Sequence, residues 1–353
     1  MSCIAGTLRS GGNVSVRSRP RSRTHPIGVA SNSLPAATYH HRPHCGPAAE
    51  AQTSRVTERQ IDVLGVPMDL GADRRGVDMG PYAIRYAGLE RDLQDMGRKV
   101  ADQQNLAVMG PEGQVNARHG PKFVPQIEAV CTELRRWMAG SLNAGHLPLV
   151  LGGDHSLAIG SLAGLLDERP GAGVVWIDAH GDVNTPKTSP SGNVHGMPLA
   201  VALGLTDLFH SLGWGQRAID PARLVLLGIR NLDSGEKAAL RHLNIRVITM
   251  AEIDRVGVQK AIEEVLGILE GCEHLHLSID MDAMDPLEAP GVATPWPGGL
   301  TYREAHLAME LLAASQRIGS LEVVEVNPIA DRANQTGRFA EGLILSALGM
   351  TIL

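Results

Sequence analysis

From Gln60 onward, short apolar runs alternate with segments of helical spacing, and this alternation limits the possible folds more than any other feature. The clearest run is Val174-Val175-Trp176-Ile177, four β-branched or aromatic residues with the composition of a buried strand. Ile61–Val66, Leu147–Leu151, Leu224–Gly228, Ile245–Thr249, His274–Ile279 and Leu321–Val326 read the same way. Between them, apolar residues recur at intervals of three and four. Ile127, Val130, Cys131, Leu134 and Met138 form one helix ending near Gly145, and Ala261, Ile262, Val265, Leu266 and Leu269 form another. Pro81 suits the first turn of an earlier helix that runs to about Met96. Thr301 with Glu304 makes a capping box, and a helix at about 340–348 closes the chain. Residues 102–120 show no pattern. Strands separated by helices form a parallel sheet covered on both faces, so the fold class is α/β.

Ligands of such sheets bind outside the carboxyl ends of the strands. Four runs release ionisable residues at that edge. Val174–Ile177 leads into Asp178, His180 and Asp182, and Leu147–Leu151 opens into Gly152-Gly153-Asp154-His155-Ser156. His274–Ile279 leads into Asp280 and Asp282, and Glu325 stands near the end of the last run. If the chain stays extended past Ile177, the spacing of two puts Asp178, His180 and Asp182 on one side. Carboxylates converging at a buried strand end repel one another unless a cation sits between them. One such end could simply cap a helix, and a lone His after a strand is more often structural than a ligand. Four ends carrying four Asp, two His and a Glu are hard to explain as structure.

His155, Asp178, His180, Asp182, Asp280 and Asp282 are too many ligands for one tetrahedral site. They suit two ions sharing bridging carboxylates. Oxygen donors with one His per ion favour a hard or borderline ion such as Mn²⁺, with zinc and iron still open. A pair of ions roughly 3.5–4 Å apart acidifies a bridging water, so the site predicts hydrolysis.

The composition narrows the partners. The net charge of −6 gives no reason to expect a nucleic-acid partner, and no apolar run approaches the ~18 residues of a membrane span. Residues 1–49 hold six of the 32 basic residues and no acidic one, which leaves 26 basic against 38 acidic and a net of −12 for the remainder. Residues 1–58 are Arg-, Ser- and Pro-rich without apolar periodicity and should be disordered, leaving 59–353 as the folded domain. Four cysteines without CxxC spacing argue for a reducing, cytoplasmic setting; the alternative is an organelle, if residues 1–58 are a transit peptide.

Gly152-Gly153-Asp154-His155-Ser156, Asp178-Ala179-His180-Gly181-Asp182, Ser278-Ile279-Asp280-Met281-Asp282 and Glu325-Val326-Asn327-Pro328 resemble the signatures of the ureohydrolases, the arginase and agmatinase family. The order and spacing of these motifs span about 60–353. Asn184-Thr185-Pro186, the run Ser191-Gly192-Asn193-Val194-His195-Gly196, and Arg74-Arg75-Gly76-Val77-Asp78-Met79-Gly80-Pro81 are similar to the bacterial arginase branch.

The resemblance implies a three-layer αβα domain with a largely parallel, about eight-stranded sheet, and two Mn²⁺ per subunit. His155, Asp178, Asp182 and Asp280 would hold one ion, and His180, Asp178, Asp280 and Asp282 the other. A bridging hydroxide would attack the guanidinium carbon of L-arginine and give urea and L-ornithine. Asp182, His195 and Glu325 are the expected catalytic residues. Glu325 would pair with the planar guanidinium, and His195 would shuttle a proton to the leaving amine. Asn184 and Ser191 would hydrogen-bond the substrate α-carboxylate, Asn193 would also bind substrate, and Asp233, with Glu236 behind it, would meet the α-ammonium. Asp233-Ser234-Gly235-Glu236 also reads as a helix N-cap. A homo-oligomer, a hexamer of two trimers or a trimer, is expected from the family alone. Gly181 stands where Thr is common and Trp296 where an aliphatic residue is expected. The alternative activity is that of an agmatinase or another guanidino hydrolase; a third is a silent metal-binding homologue.

Overall fold

The computed structural model describes residues 59–110, 120–214 and 216–351, so the expected disordered extension lies outside the described residues. In chain order the elements are β1 (Ile61–Val66), α1 (Gly80–Ala87), α2 (Leu89–Asp95), β2 (Val100–Asn105), α3 (Val124–Asn143), β3 (Leu147–Gly152), α4 (Ala158–Glu168) and β4 (Gly173–Ile177). They continue with α5 (Pro198–Ala202), β5 (Leu224–Ile229), α6 (Ser234–His242), β6 (Arg246–Thr249), α7 (Met250–Val256), α8 (Val258–Ile268), β7 (Leu275–Asp280), α9 (Tyr302–Ala314), β8 (Ile318–Val324) and α10 (Gln335–Ala347).

Seven strands follow the seven apolar runs. The eighth, β2, falls where no strand was expected. Its sequence Val-Ala-Asp-Gln-Gln-Asn carries no apolar alternation because it lies at the sheet edge, pairs only with β1 and stays partly exposed. The helix expected from Pro81 to about Met96 is two helices. Gly88, at φ 118°, ends α1 and starts α2 in a left-handed conformation that suits glycine alone.

All eight strands are parallel, in the order β2-β1-β3-β8-β7-β4-β5-β6. The chain lays down β3 and then β4, leaving room between them that β7 and β8 fill much later. This makes β3, β8, β7 and β4 neighbours, and they are the four strands whose ends carry the candidate ligands.

The strand period of two separates two cores. Val174 and Trp176 of β4 pack with Cys131 and Leu134 of α3 and Leu162 of α4; Val175 and Ile177 pack with residues of α7 to α10. Each large side chain so buried contributes roughly 1.5–3 kcal/mol. Helix α4 lies close to α3 because Gly160 and Gly164 lack side chains: a Cβ there would sit 2.6 Å from the Cys131 carbonyl and 2.5 Å from that of Arg135. Where β7 and β8 face α4, the apolar rule fails. His276, Ser278, Ser320 and Glu322 are all fully buried there.

Candidate metal centre

The chain does not stay extended past Ile177, as the spacing argument assumed. β4 ends at Ile177, the backbone bends at Ala179 and His180, and Asp182 takes a left-handed φ of 51°. The Asp178 carboxylate accepts the His180 backbone N–H at 2.6 Å, which stabilises the bend. The Asp280-Met281-Asp282 run also turns, with Asp280 accepting the Asp282 N–H at 2.7 Å. Glu325 follows β8 at φ 64°. A left-handed conformation costs a non-glycine residue of order 1–2 kcal/mol, and such strain concentrates at functional sites.

The turns bring the expected ligands together in two groups that share Asp178. In the first, His155 Nδ1 lies 3.4 Å from Asp178, 3.2 Å from Asp182 and 3.2 Å from Asp280. In the second, His180 Nδ1 lies 3.1 Å from Asp282 and 3.5 Å from Asp178. The first group is almost fully buried. His155 stacks on Trp176 with ring centroids 4.0 Å apart and planes 5° apart, and the Trp176 N–H donates to Asp178 at 3.0 Å.

The buried His155 Nδ1 has no hydrogen-bond partner, although three carboxylates surround it. This is the geometry of a lone pair and several anions facing one cation, and the donor set of oxygen with one imidazole per group fits a divalent metal. With protons as the only cations, the groups conflict. Burial, Asp282 and Asp178 push Asp280 well above the usual carboxylate range, and burial with Asp178 pushes Asp182 up to about 6. Burial alone would lower both imidazoles, but the neighbouring carboxylates hold His155 well above its ordinary value and push His180 up to about 12.

Above the ligands lies a cleft lined by Asn184, Ser191, Asn193, His195, Asp233 and Glu236, together with His180, Asp182, Asp280 and Asp282. Glu325 lies beneath it. One carboxylate oxygen accepts the His155 backbone N–H at 2.9 Å and faces His195 Nδ1 at 3.1 Å, while the other, Oε2, is buried without a partner. Burial would lower the His195 pKa, but Glu325 pushes it up to about 9, so the imidazole carries its proton at neutral pH. Asp233 caps α6 and closes a capping box with Glu236, whose carboxylate accepts the Asp233 N–H at 2.9 Å. The cap and the cleft position therefore hold together. Asn184 donates to Asp233 at 2.9 Å and accepts from Thr188, which joins two loops of the cleft wall.

Several residues here escaped the sequence argument. Ser189 and Thr294 line the cleft, and the Thr294 hydroxyl donates to Asp282 at 2.7 Å. Arg230, beyond β5, donates to the carbonyls of Asp282, Ala283, Met284 and Trp296, tying that strand end to the loop after β7. No local pattern announces such long-range backbone contacts. Gly181 has a packing reason: a Cβ there would lie 2.7 Å from Leu232 Cδ2 and 3.0 Å from Glu236 Oε1. Trp296 is 44% exposed. Cys131 and Cys272 are buried free thiols outside both ligand groups.

The arginase family matches residues 59–349. The arginase of Bacillus subtilis (strain 168) is 47% identical over 298 residues, covering 84% of this chain and 100% of that protein. The native structure of Bacillus caldovelox arginase at pH 5.6 superimposes with a TM-score of 0.80 at 44% identity, over 84% of this chain and 100% of that one. The Entamoeba histolytica arginase in complex with L-ornithine gives a TM-score of 0.78 at 31% identity, over 83% and 100%.

Proposed function

Because this chain belongs to the arginase family of hydrolases, we propose that it hydrolyses L-arginine to L-ornithine and urea, using two Mn²⁺ ions per subunit. The observation that carries the reading is the pair of ligand groups sharing Asp178, with a partnerless His155 Nδ1 aimed into one of them. His155, Asp178, Asp182 and Asp280 would hold one ion; His180, Asp178, Asp280 and Asp282 would hold the other. Two dications bound there would supply a water acidic enough to attack the guanidinium carbon at neutral pH.

The chain's own residues do the rest. Glu325 Oε2 is a buried acceptor without a partner, placed to take two-point hydrogen bonds from a planar guanidinium. Asp182, buried and lining the cleft, is placed to take up a proton from the attacking water. His195 holds a proton on the cleft side of Glu325 and delivers it to the departing amine. Asn184, Ser191 and Asn193 present neutral polar groups to an α-carboxylate. Asp233 and Glu236 present carboxyl groups to an α-ammonium. That pairing favours an amino acid over agmatine, which lacks the carboxylate.

Urea release from L-arginine and from agmatine, measured in parallel on metal-stripped chain reloaded with Mn²⁺, tests the reading. Metal-dependent release from arginine is expected. Faster turnover of agmatine overturns the substrate assignment, and release unaffected by chelator overturns the metal role. We also assign the folded domain to 59–353 and a cytoplasmic setting. No helix among the described residues is long and apolar enough to cross a membrane. A homo-oligomer, hexamer or trimer, is the proposed assembly; a monomer by light scattering at micromolar concentration would refute it.

A further inference from the structure

On the face that β7 and β8 turn towards α4, the buried polar side chains connect. We propose that Glu322 is a positioning residue for the metal centre: acting through Ser278, it holds His155 in the tautomer whose Nδ1 lone pair faces Asp178, Asp182 and Asp280. The inference rests on the reading of His155 as a metal ligand.

Ser278 Oγ donates to Glu322 Oε1 at 2.7 Å, and the Ser161 hydroxyl donates to Glu322 Oε2. An ionised carboxylate only accepts, so the single hydrogen of Ser278 is committed to Glu322. The contact between Ser278 Oγ and His155 Nε2, at 2.8 Å, must then run from the imidazole to the hydroxyl. A neutral imidazole carries one N–H. With Nε2 protonated, Nδ1 bears the lone pair, and Nδ1 is the atom that lies without a hydrogen-bond partner 3.2–3.4 Å from three carboxylates. Stacking on Trp176 fixes the plane of the ring, and Ser278 fixes its rotation within that plane.

The surroundings hold Glu322 as an anion. Burial would raise its pKa, but His276, with Nε2 3.5 Å from Oε1, and the Ser161 hydroxyl keep the carboxyl below its usual range. His276 is in turn anchored through Nδ1 to Ser320 at 2.9 Å. Hydrogen bonds behind a ligating imidazole orient it and raise its basicity, and their loss costs 10–100-fold in metal affinity.

The test uses the full chain with ¹⁵N-labelled histidine, first metal-free at a pH high enough to leave His155 neutral and then titrated with Mn²⁺; His155→Ala identifies the His155 resonances. The wild type is expected to show the Nε2–H tautomer at His155. Glu322→Gln introduces an amide donor that lets Ser278 donate to Nε2, so the tautomer is expected to shift towards Nδ1–H and Mn²⁺ affinity to fall about 10–100-fold. Ser278→Ala should lose affinity to a similar extent, and Ser278→Thr, which keeps the hydroxyl, should retain it. A role confined to packing would leave the tautomer of a folded Glu322→Gln protein unchanged. If Ser278→Ala does not fold, Glu322→Gln, nearly identical in shape, decides alone. An Nδ1–H tautomer in the wild type, or wild-type tautomer and affinity in Glu322→Gln, overturns the proposal. A wild type that takes up no Mn²⁺ overturns the metal reading itself, a result distinct from variants that bind as tightly as wild type.

Discussion

The two halves of the candidate metal centre use the same donor types in different settings. The His155 half is sealed: its imidazole is 1% exposed, stacked on Trp176 and backed by Ser278 and Glu322. The His180 half is open: its imidazole is 23% exposed and lines the cleft. The sealed half is held by the core, so its geometry is set before any ligand arrives. The open half is held by a loop bend and faces the cleft. Asp178 belongs to both, with one oxygen towards each imidazole.

The strongest way to break the comparison is therefore at Asp178. Asp178→Asn should abolish both sites, reducing urea release by well over the ~100-fold that the loss of an outer partner costs, with bound metal close to zero by elemental analysis. The next test separates the halves. His155→Ala removes a stacked core side chain and leaves buried carboxylates uncompensated, so the metal-free chain should lose about 2–4 kcal/mol in a denaturant melt. His180→Ala, partly solvated, should cost less than about 1 kcal/mol in the same melt while still weakening metal binding. Equal losses would refute the division into sealed and open halves.

pH sharpens the contrast on the sealed side. Asp182 is pushed up to about 6, so below that pH a metal must displace its proton. Mn²⁺ affinity should fall as pH drops through 6, approaching tenfold per unit for each proton displaced. The metal-free chain should behave oppositely. A carboxyl whose folded pKa lies above its unfolded value binds its proton more tightly when folded, so this group's contribution to stability is lost as pH rises through about 6. Paired titrations of Mn²⁺ affinity and of metal-free melting between pH 5 and 8 check both signs. The smallest effect belongs to Gly181→Thr on the open side. The new side chain meets Leu232 and Glu236, but Leu232 can yield at its flexible end, so a loss of about 1 kcal/mol in stability and a modest rise in KM for arginine are expected. Unchanged kinetics would show that the 181–236 contact does not shape the cleft.

Much of this was legible locally. Buried strands announced themselves by apolar composition, and the ligand types stood at their ends in i, i+2 runs. What escaped had a physical cause. Strand β2 is polar because an edge strand has one neighbour and an open side. The break at Gly88 was hidden because helical spacing continues across it. Trp176 read only as core, although its ring supports His155 and its N–H binds Asp178. The His276, Ser278, Asp280 stripe carried a visible period of two, but its partners on β8 lie more than forty residues away. The local bend at Ala179 and His180 was misjudged, because the spacing of two looked sufficient without it.

The sequence alone determined the donor types: carboxylates with one imidazole per group, placed where parallel strands end, and a capping residue at Asp233 whose role is local. Only the tertiary structure decided which ends meet. The order β3-β8-β7-β4 brings together residues up to 170 positions apart, as in the hydrogen bond from the His155 backbone to Glu325. Strand order is set by how the covering helices pack two cores at once, a sum over many weak contacts that no single motif encodes. The left-handed turns at Asp182 and Glu325 follow from the same cause. Their cost is borne by the packed scaffold around them, so they exist only in the folded molecule.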